Sequence, residues 1–166
     1  MIVRPESARD VAAIGDVELA AFRDHPYSRQ TEHLIVEALR AAGALAVSLV
    51  AEVDGEVVGH VAFSPGGIGE SVSGWYVLGP VAVLPAYQGE GIGRALVAAG
   101  LEALRSRGAR GCVLVGDPAF YTRFGFASYP GVTWPGVPQE NVMCISFVGE
   151  PPAGAVSYHE AFHAGT

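Results

Sequence analysis

The sequence predicts a mixed α/β layer fold, and three observations carry that prediction. Two Val-rich runs flank Asp54-Gly55, the mark of an antiparallel hairpin. An apolar run ending at Val83 meets a glycine cluster and then an apolar-periodic segment from Ile92 to Leu104, which reads as strand, turn and helix. A further short apolar run follows Gly108, so the centre of the chain is a strand, helix, strand unit. The 166 residues suit a single domain over 1–166 and leave little room for two.

Taken in order, Ile2 and Val3 make a short strand that Pro5 ends. Ser7 and Asp10 resemble a capping box with Asp in place of Glu, and Val11, Ile14, Val17 and Ala21 recur at helical spacing through Phe22. A loop with His25, Pro26 and Tyr27 leads to Thr31, a reasonable N-cap for a second helix carrying Leu34, Ile35, Ala38 and Leu39, which Gly43 ends. After the hairpin comes WYVLGPVAVL, a strand interrupted at Gly79-Pro80. A proline there removes a ladder donor, so the strand is expected to bulge or lose pairing on one side. Arg105 and Arg107 suit the negative end of the long helix, and Gly108 closes it. Residues 111 to 115 make a buried strand, AFYTRFGF a brief helical segment, and YPGVTWPGVPQEN a long loop. Val142 to Val148 and Val156 to Tyr158 supply two last strands, giving the order β-α-α-β-β-β-α-β-α-β-β.

Composition narrows the function classes. Half the residues are hydrophobic and 16% are charged, which is ample for a folded core. Ten Lys and Arg against 17 Asp and Glu give a net charge of -7, which disfavours a general nucleic-acid or anionic-membrane binder. Cys112 and Cys144 sit in apolar runs without metal-ligand spacing, so they read as buried free thiols in a reducing compartment, and no metal site is expected. The N-terminus lacks a secretory h-region and no apolar run reaches membrane-spanning length, which makes the cytoplasm the expected location.

The glycines at 89, 91 and 93 need a reason, because each costs stability at the start of a helix. A helix N-terminus offers unsatisfied N–H groups and a positive dipole end, and bare glycines let a phosphate come close to both. Arg94 adds a cation at the rim. A Walker-type loop fails because Gly93 is followed by Arg94-Ala95, and the dinucleotide fingerprint fails because its sixth position falls on Arg94 or Leu96. Gln-x-x-Gly-x-Gly, at Gln88, Gly91 and Gly93, fits a third pattern.

Through LGPVAVLPAYQGEGIGRAL and GDPAFYTRFGF the sequence resembles the GNAT superfamily of N-acetyltransferases, and the order of elements agrees over almost the whole chain. The resemblance implies the GNAT fold with a splayed central sheet, and acetyl-CoA as cosubstrate. Its pyrophosphate would be held by the turn Gln88, Gly89, Glu90, Gly91, Ile92, Gly93 and Arg94. Its pantetheine would pair with the backbone of Val81, Ala82 and Val83 like an added strand. Tyr121 would be the catalytic residue, giving its proton to the departing thiolate. Asp117 stands where many relatives have Asn, and Asp-Pro there also suits a cap. Phe120 and Phe124 either flank the cofactor arm or pack the core.

No acidic residue lies between Ser73 and Val83, where some relatives carry a general base. His60 is a candidate relay but more commonly a satisfied core histidine, and Glu18 and Glu32 read first as solvated helix faces. A water chain to bulk is another base. No nucleophilic Cys or Ser stands out, so the expected reaction is direct attack by an amine in a ternary complex. The acceptor class implied is a small amine or peptide, with a homodimer possible. The alternatives are transfer of another acyl group, or a noncatalytic acyl-CoA-binding or sensing domain.

Overall fold

The computed structural model describes residues 1–166. The chain runs β1 (Ile2–Pro5), α1 (Val11–Phe22), α2 (Glu32–Ala41), β2 (Val47–Val53), β3 (Glu56–Ile68) and β4 (Ser71–Val83). It continues with α3 (Ile92–Ser106), β5 (Gly111–Val115), α4 (Pro118–Tyr121), β6 (Val132–Thr133), β7 (Val142–Ser146) and β8 (Gly154–Tyr158). The strands lie in the order β1-β2-β3-β4-β5-β7, with β8 added beside the far end of β3 and β6 beside β8. Only β4–β5 and β6–β8 are parallel, so the sheet is mixed, as the sequence predicts. No helix is long and apolar enough to cross a membrane.

Side-chain alternation sends the two faces of this sheet to different helices. Leu49, Val61 and Phe63 meet Leu96, Leu101 and Leu104 of α3, forming the largest core. Val50 meets Ile14 of α1 and Val36 of α2 on the opposite face. Gly100 lets α3 lie close on β3: a Cβ there would stand 2.1 Å from the Phe63 ring.

At the N-terminus the Asp10 carboxylate accepts from the Ser7 N–H at 2.7 Å, as the capping-box reading requires. It also accepts from both Arg4 guanidinium nitrogens, at 2.8 and 3.0 Å. These bonds hold the Asp10 carboxyl well below the usual carboxylate range, against the opposing effect of burial. The first turn, Ala8–Asp10, is a 3-10 turn rather than the start of the α-helix. Thr31 precedes α2 but its hydroxyl makes no cap bond; Ser28 Oγ instead donates to Glu32 at 2.6 Å.

The segment expected to be a long loop is structured in part. Val132–Thr133 form β6, and residues 139–141 make a 3-10 turn. The Gln139 amide donates to the carbonyls of Tyr129 and Val132, each at 2.9 Å, while its own backbone carbonyl accepts from Ser128 Oγ at 2.7 Å. Trp134 stacks on Tyr158 with ring centroids 4.7 Å apart. By contrast, the α1–α2 connection is held by short-range bonds, and Tyr27 on it is 92% exposed.

Candidate active site

β4 and β5 pair only at Trp75–Gly111, Tyr76–Cys112 and Val77–Val113. Beyond Val77, β4 runs on through Leu78–Val83 with no strand on that side, while β5 turns away at Gly116 into α4. The Gly79-Pro80 interruption lies where the two strands part: Val61 pairs with Val81 and Phe63 with Leu78, leaving Ala62 opposite both Gly79 and Pro80. This is the bulge expected from the sequence. Leu84 donates to the Val58 carbonyl at 2.8 Å, so strand alternation turns the Ala82 backbone toward β3 and those of Val81 and Val83 toward the gap. Of the three strand positions, Ala82 is therefore the one whose main chain is already committed to the sheet.

The turn after β4 is fixed by Gln88, whose side-chain amide donates to the Val83 carbonyl at 2.9 Å. Gly89 and Gly91 have φ of +81° and +86°, a region where a side chain would be strained, so their first role is conformational. Gly93 has no such backbone demand. A Cβ there would lie 3.8 Å from both Val83 and Phe120, so this glycine keeps the space between them open. The first backbone bond into α3 is from Ala95 to the Gly91 carbonyl, and the N–H groups from Gly89 to Arg94 have no partner within the chain.

The turn borders a cleft of about 300 Å³. Val83, Gln88, Gly89, Gly91, Ile92, Gly93 and Arg94 all line it, joined by Tyr87, Phe120 and Arg123. Glu90 is exposed on the turn and does not line the cleft, and Val81 and Ala82 lie beyond it on β4. Arg123, whose guanidinium lies 5.0 Å from the centre of the Phe120 ring, was not singled out from the sequence; it gives the cleft a second cation beside Arg94. Phe120 therefore faces the cleft, and Asp117 caps α4 by accepting from the Ala119 N–H at 2.9 Å.

Tyr121 lies next to that wall, packed over Gly116 and against Phe120 and Phe126. It is largely buried. Burial, with a smaller contribution from Cys112, pushes its pKa up to about 12, so it holds its proton at neutral pH. Cys112 and Cys144 are free and buried, and burial raises both thiols, Cys144 to about 12. Neither supplies a thiolate nucleophile at neutral pH.

The opposite sheet face holds a different arrangement. Glu18, read from the sequence as solvated, is fully buried; its helix turns this side chain toward β3. Glu18 Oε1 lies 2.8 Å from His60 Nδ1, and His60 Nε2 lies 2.8 Å from Ser48 Oγ. Ser48 in turn donates to Glu6, which Arg40 clamps with two bonds of 3.0 Å each. Burial raises the Glu18 carboxyl, opposed by His60. Glu18 Oε2 has no partner at all. His60 is thus a partnered core histidine, and Ser48, Glu6 and Arg40 join it without any spacing in the sequence that announces them.

A splayed parallel strand pair, a glycine turn of free amides and a buried phenol thus lie side by side at one end of the sheet. Residues 13–126 match the family described as Acetyltransferase (GNAT) family, and the chain belongs to that family. A GNAT family acetyltransferase from Brucella melitensis, solved in complex with acetyl-CoA, is 53% identical over 97% of both chains, with a TM-score of 0.87. The N-acetyltransferase YhbS of Escherichia coli, solved in complex with CoA, has a TM-score of 0.85 at 33% identity, covering 99% of this chain and 93% of that one. By sequence alone YhbS of strain K12, described as an uncharacterized N-acetyltransferase, is 35% identical over 98% of this chain and 99% of its own.

Proposed function

We propose that residues 1–166 act as one acetyl-CoA-dependent N-acetyltransferase domain, transferring acetyl to a primary amine by direct attack in a ternary complex. The observation that carries this reading is the run of unpartnered N–H groups from Gly89 to Arg94 at the N-terminus of α3, beside a strand edge with no neighbour. Those amides and the helix dipole suit a diphosphate, and Arg94 and Arg123 add positive charge at the rim. The outward backbone of Val81 and Val83 suits an extended amide-bearing arm. The Val83 carbonyl already accepts from Gln88, so the N–H of Val83 and the amide groups of Val81 are the ones left for it.

Tyr121 then has a defined task. As the C–N bond forms and the C–S bond breaks, the electron pair leaves on sulfur, and Tyr121 protonates it. A phenol with a pKa near 12 is a weak acid in the resting site, but a thiolate forming beside it is an adjacent base. The acceptor amine meets the thioester carbon from the α1/α2 side of the splay.

Calorimetry with acetyl-CoA, followed by thiol release against small amines and free-amino peptides, tests the reading. Binding with amine-dependent release is the expected result. No heat of binding overturns the site. Binding without release for any acceptor overturns catalysis in favour of a sensing domain.

A further inference from the structure

We propose that Glu18, His60, Ser48 and Glu6 form a proton exit from the acceptor side of the cleft to solvent, with Glu18 Oε2 as the atom that receives the proton. This rests on the transferase reading above, since only an amine that loses a proton needs such an exit.

The route is continuous. Glu18 on α1 lies over the sheet and touches His60 of β3, which stands opposite Ala82 in the splayed part of β4. His60 is wholly buried, so its contacts with Glu18 and Ser48 are its only routes for a proton. The other end reaches the surface, where Glu6 and Arg40 are partly exposed. The inner end finishes on a buried carboxylate oxygen without a donor. An orphaned acceptor of this kind is costly unless a water or ligand supplies a hydrogen.

Hydrogen counting gives the route a direction. Burial raises the Glu6 carboxyl, and the bonds from Arg40 and Ser48 more than reverse this, so Glu6 is ionised at neutral pH. An ionised Glu6 has no proton to offer, and the one Ser48 hydroxyl hydrogen points to it. The Ser48 oxygen then presents only lone pairs to His60, so Nε2 carries a hydrogen. The 2.8 Å contact between Nδ1 and Glu18 Oε1 needs another. With that proton on Glu18, where burial favours it, every donor points outward: Glu18 to His60, His60 to Ser48, Ser48 to Glu6. Glu32 and His33, from α2, are the next charges whose fields reach Glu18, and they act in opposite directions.

The balance closes over one turnover. The amine nitrogen bonds the thioester carbon, the C–S pair leaves on sulfur, and Tyr121 protonates the thiolate and regains a proton from water. The surplus proton on nitrogen reaches Glu18 Oε2 through intervening water, Glu18 being fully buried, as the Oε1 proton moves on to His60 Nδ1. One hop along each hydrogen bond then releases a proton from Glu6 to solvent.

A readout that needs no acceptor separates this from a purely structural network. In protein labelled with ¹⁵N-histidine, exchange of the His60 Nε2–H with water is measured for wild type, Ser48→Ala, Ser48→Thr and Glu6→Gln. Calorimetry with acetyl-CoA checks that each variant keeps its fold. The proposal expects Ser48→Ala and Glu6→Gln to slow exchange by at least about tenfold, and Ser48→Thr to keep it fast. Equal or faster exchange in Ser48→Ala and Glu6→Gln overturns it, because removing a merely structural bond loosens the packing. Should acetyl-CoA fail to bind the wild type, the transferase reading falls, while the exchange result still reports on the route.

Discussion

The two faces of the central sheet hold polar groups in opposite ways. Over α3 the donors are main-chain amides on a glycine turn, open to water and without charge of their own. Under α1 and α2 the groups are side chains, with the ionisable pair Glu18 and His60 fully buried, and each depends on the next for its partner. Backbone amides keep their donors at any pH and lose little if a neighbour changes. A dry side-chain chain fails as a unit when one member is removed. The difference teaches that the proposed binding and proton handling would rest on different physics on the two sides of one sheet.

Breaking the buried side has the largest expected effect. His60→Leu leaves the Glu18 carboxyl without its partner and lowers the unfolding free energy by about 3–5 kcal/mol, measured by urea denaturation. The sign with pH follows from the raised folded-state pKa of Glu18. Its stability contribution is intact below the ordinary carboxyl range and is lost as pH rises through the folded value. Without His60, which opposes the rise, that value moves higher still, so the His60→Leu deficit deepens as pH climbs past the wild-type value.

Tyr121→Phe comes next and separates chemistry from binding. The phenol leaves and the ring stays, so kcat falls about a hundredfold or more while the acetyl-CoA Kd stays within about twofold. Steady-state thiol release and calorimetry read the two quantities. On the open side, Gly93→Val places a side chain between Val83 and Phe120 with no backbone penalty. Acetyl-CoA affinity is expected to fall about tenfold, worth about 1.4 kcal/mol, with little change in melting temperature.

The smallest effect sharpens the contrast in pH window. Asp10 is held by Arg4 with its carboxyl lowered, so its contribution is present above the ordinary carboxylate range and lost as pH falls through the folded value. Asp10→Asn therefore shows a modest drop in melting temperature at neutral pH, and the gap to wild type closes as the solution is acidified below about pH 4. Both deficits grow with pH but in separate windows, Asp10→Asn below the ordinary carboxylate range and His60→Leu above it. A His60→Leu deficit already complete by about pH 4 would contradict the assignment of their causes.

What could be read from the sequence follows the same divide. The glycine turn is local: Gln88, Gly91 and Gly93 lie within a few residues, so spacing alone marked it as the candidate anion site, and the Gly79-Pro80 interruption announced the bulge. The Asp54-Gly55 turn and the long helix were equally legible from period and turn residues. Glu18 was misplaced on a solvated face because α1 is apolar on most sides, and helical spacing did not say which polar residue turned inward. Glu6, Ser48 and Arg40 come from three separate elements, and only the folded register brings them to His60. Arg123 was visible beside Phe120 and Tyr121, but its approach to the cleft depends on the turn after α4.

The Gln139 side chain has a practical consequence for handling the protein. By tying the carbonyls of Tyr129 and Val132 together, it turns a proline- and glycine-rich stretch into a braced wall. A protease needs a stretch of backbone it can straighten, and residues 128–141 do not yield one cheaply. The α1–α2 connection around Tyr27 does, so limited digestion should nick there first and leave two fragments that still travel together on a sizing column.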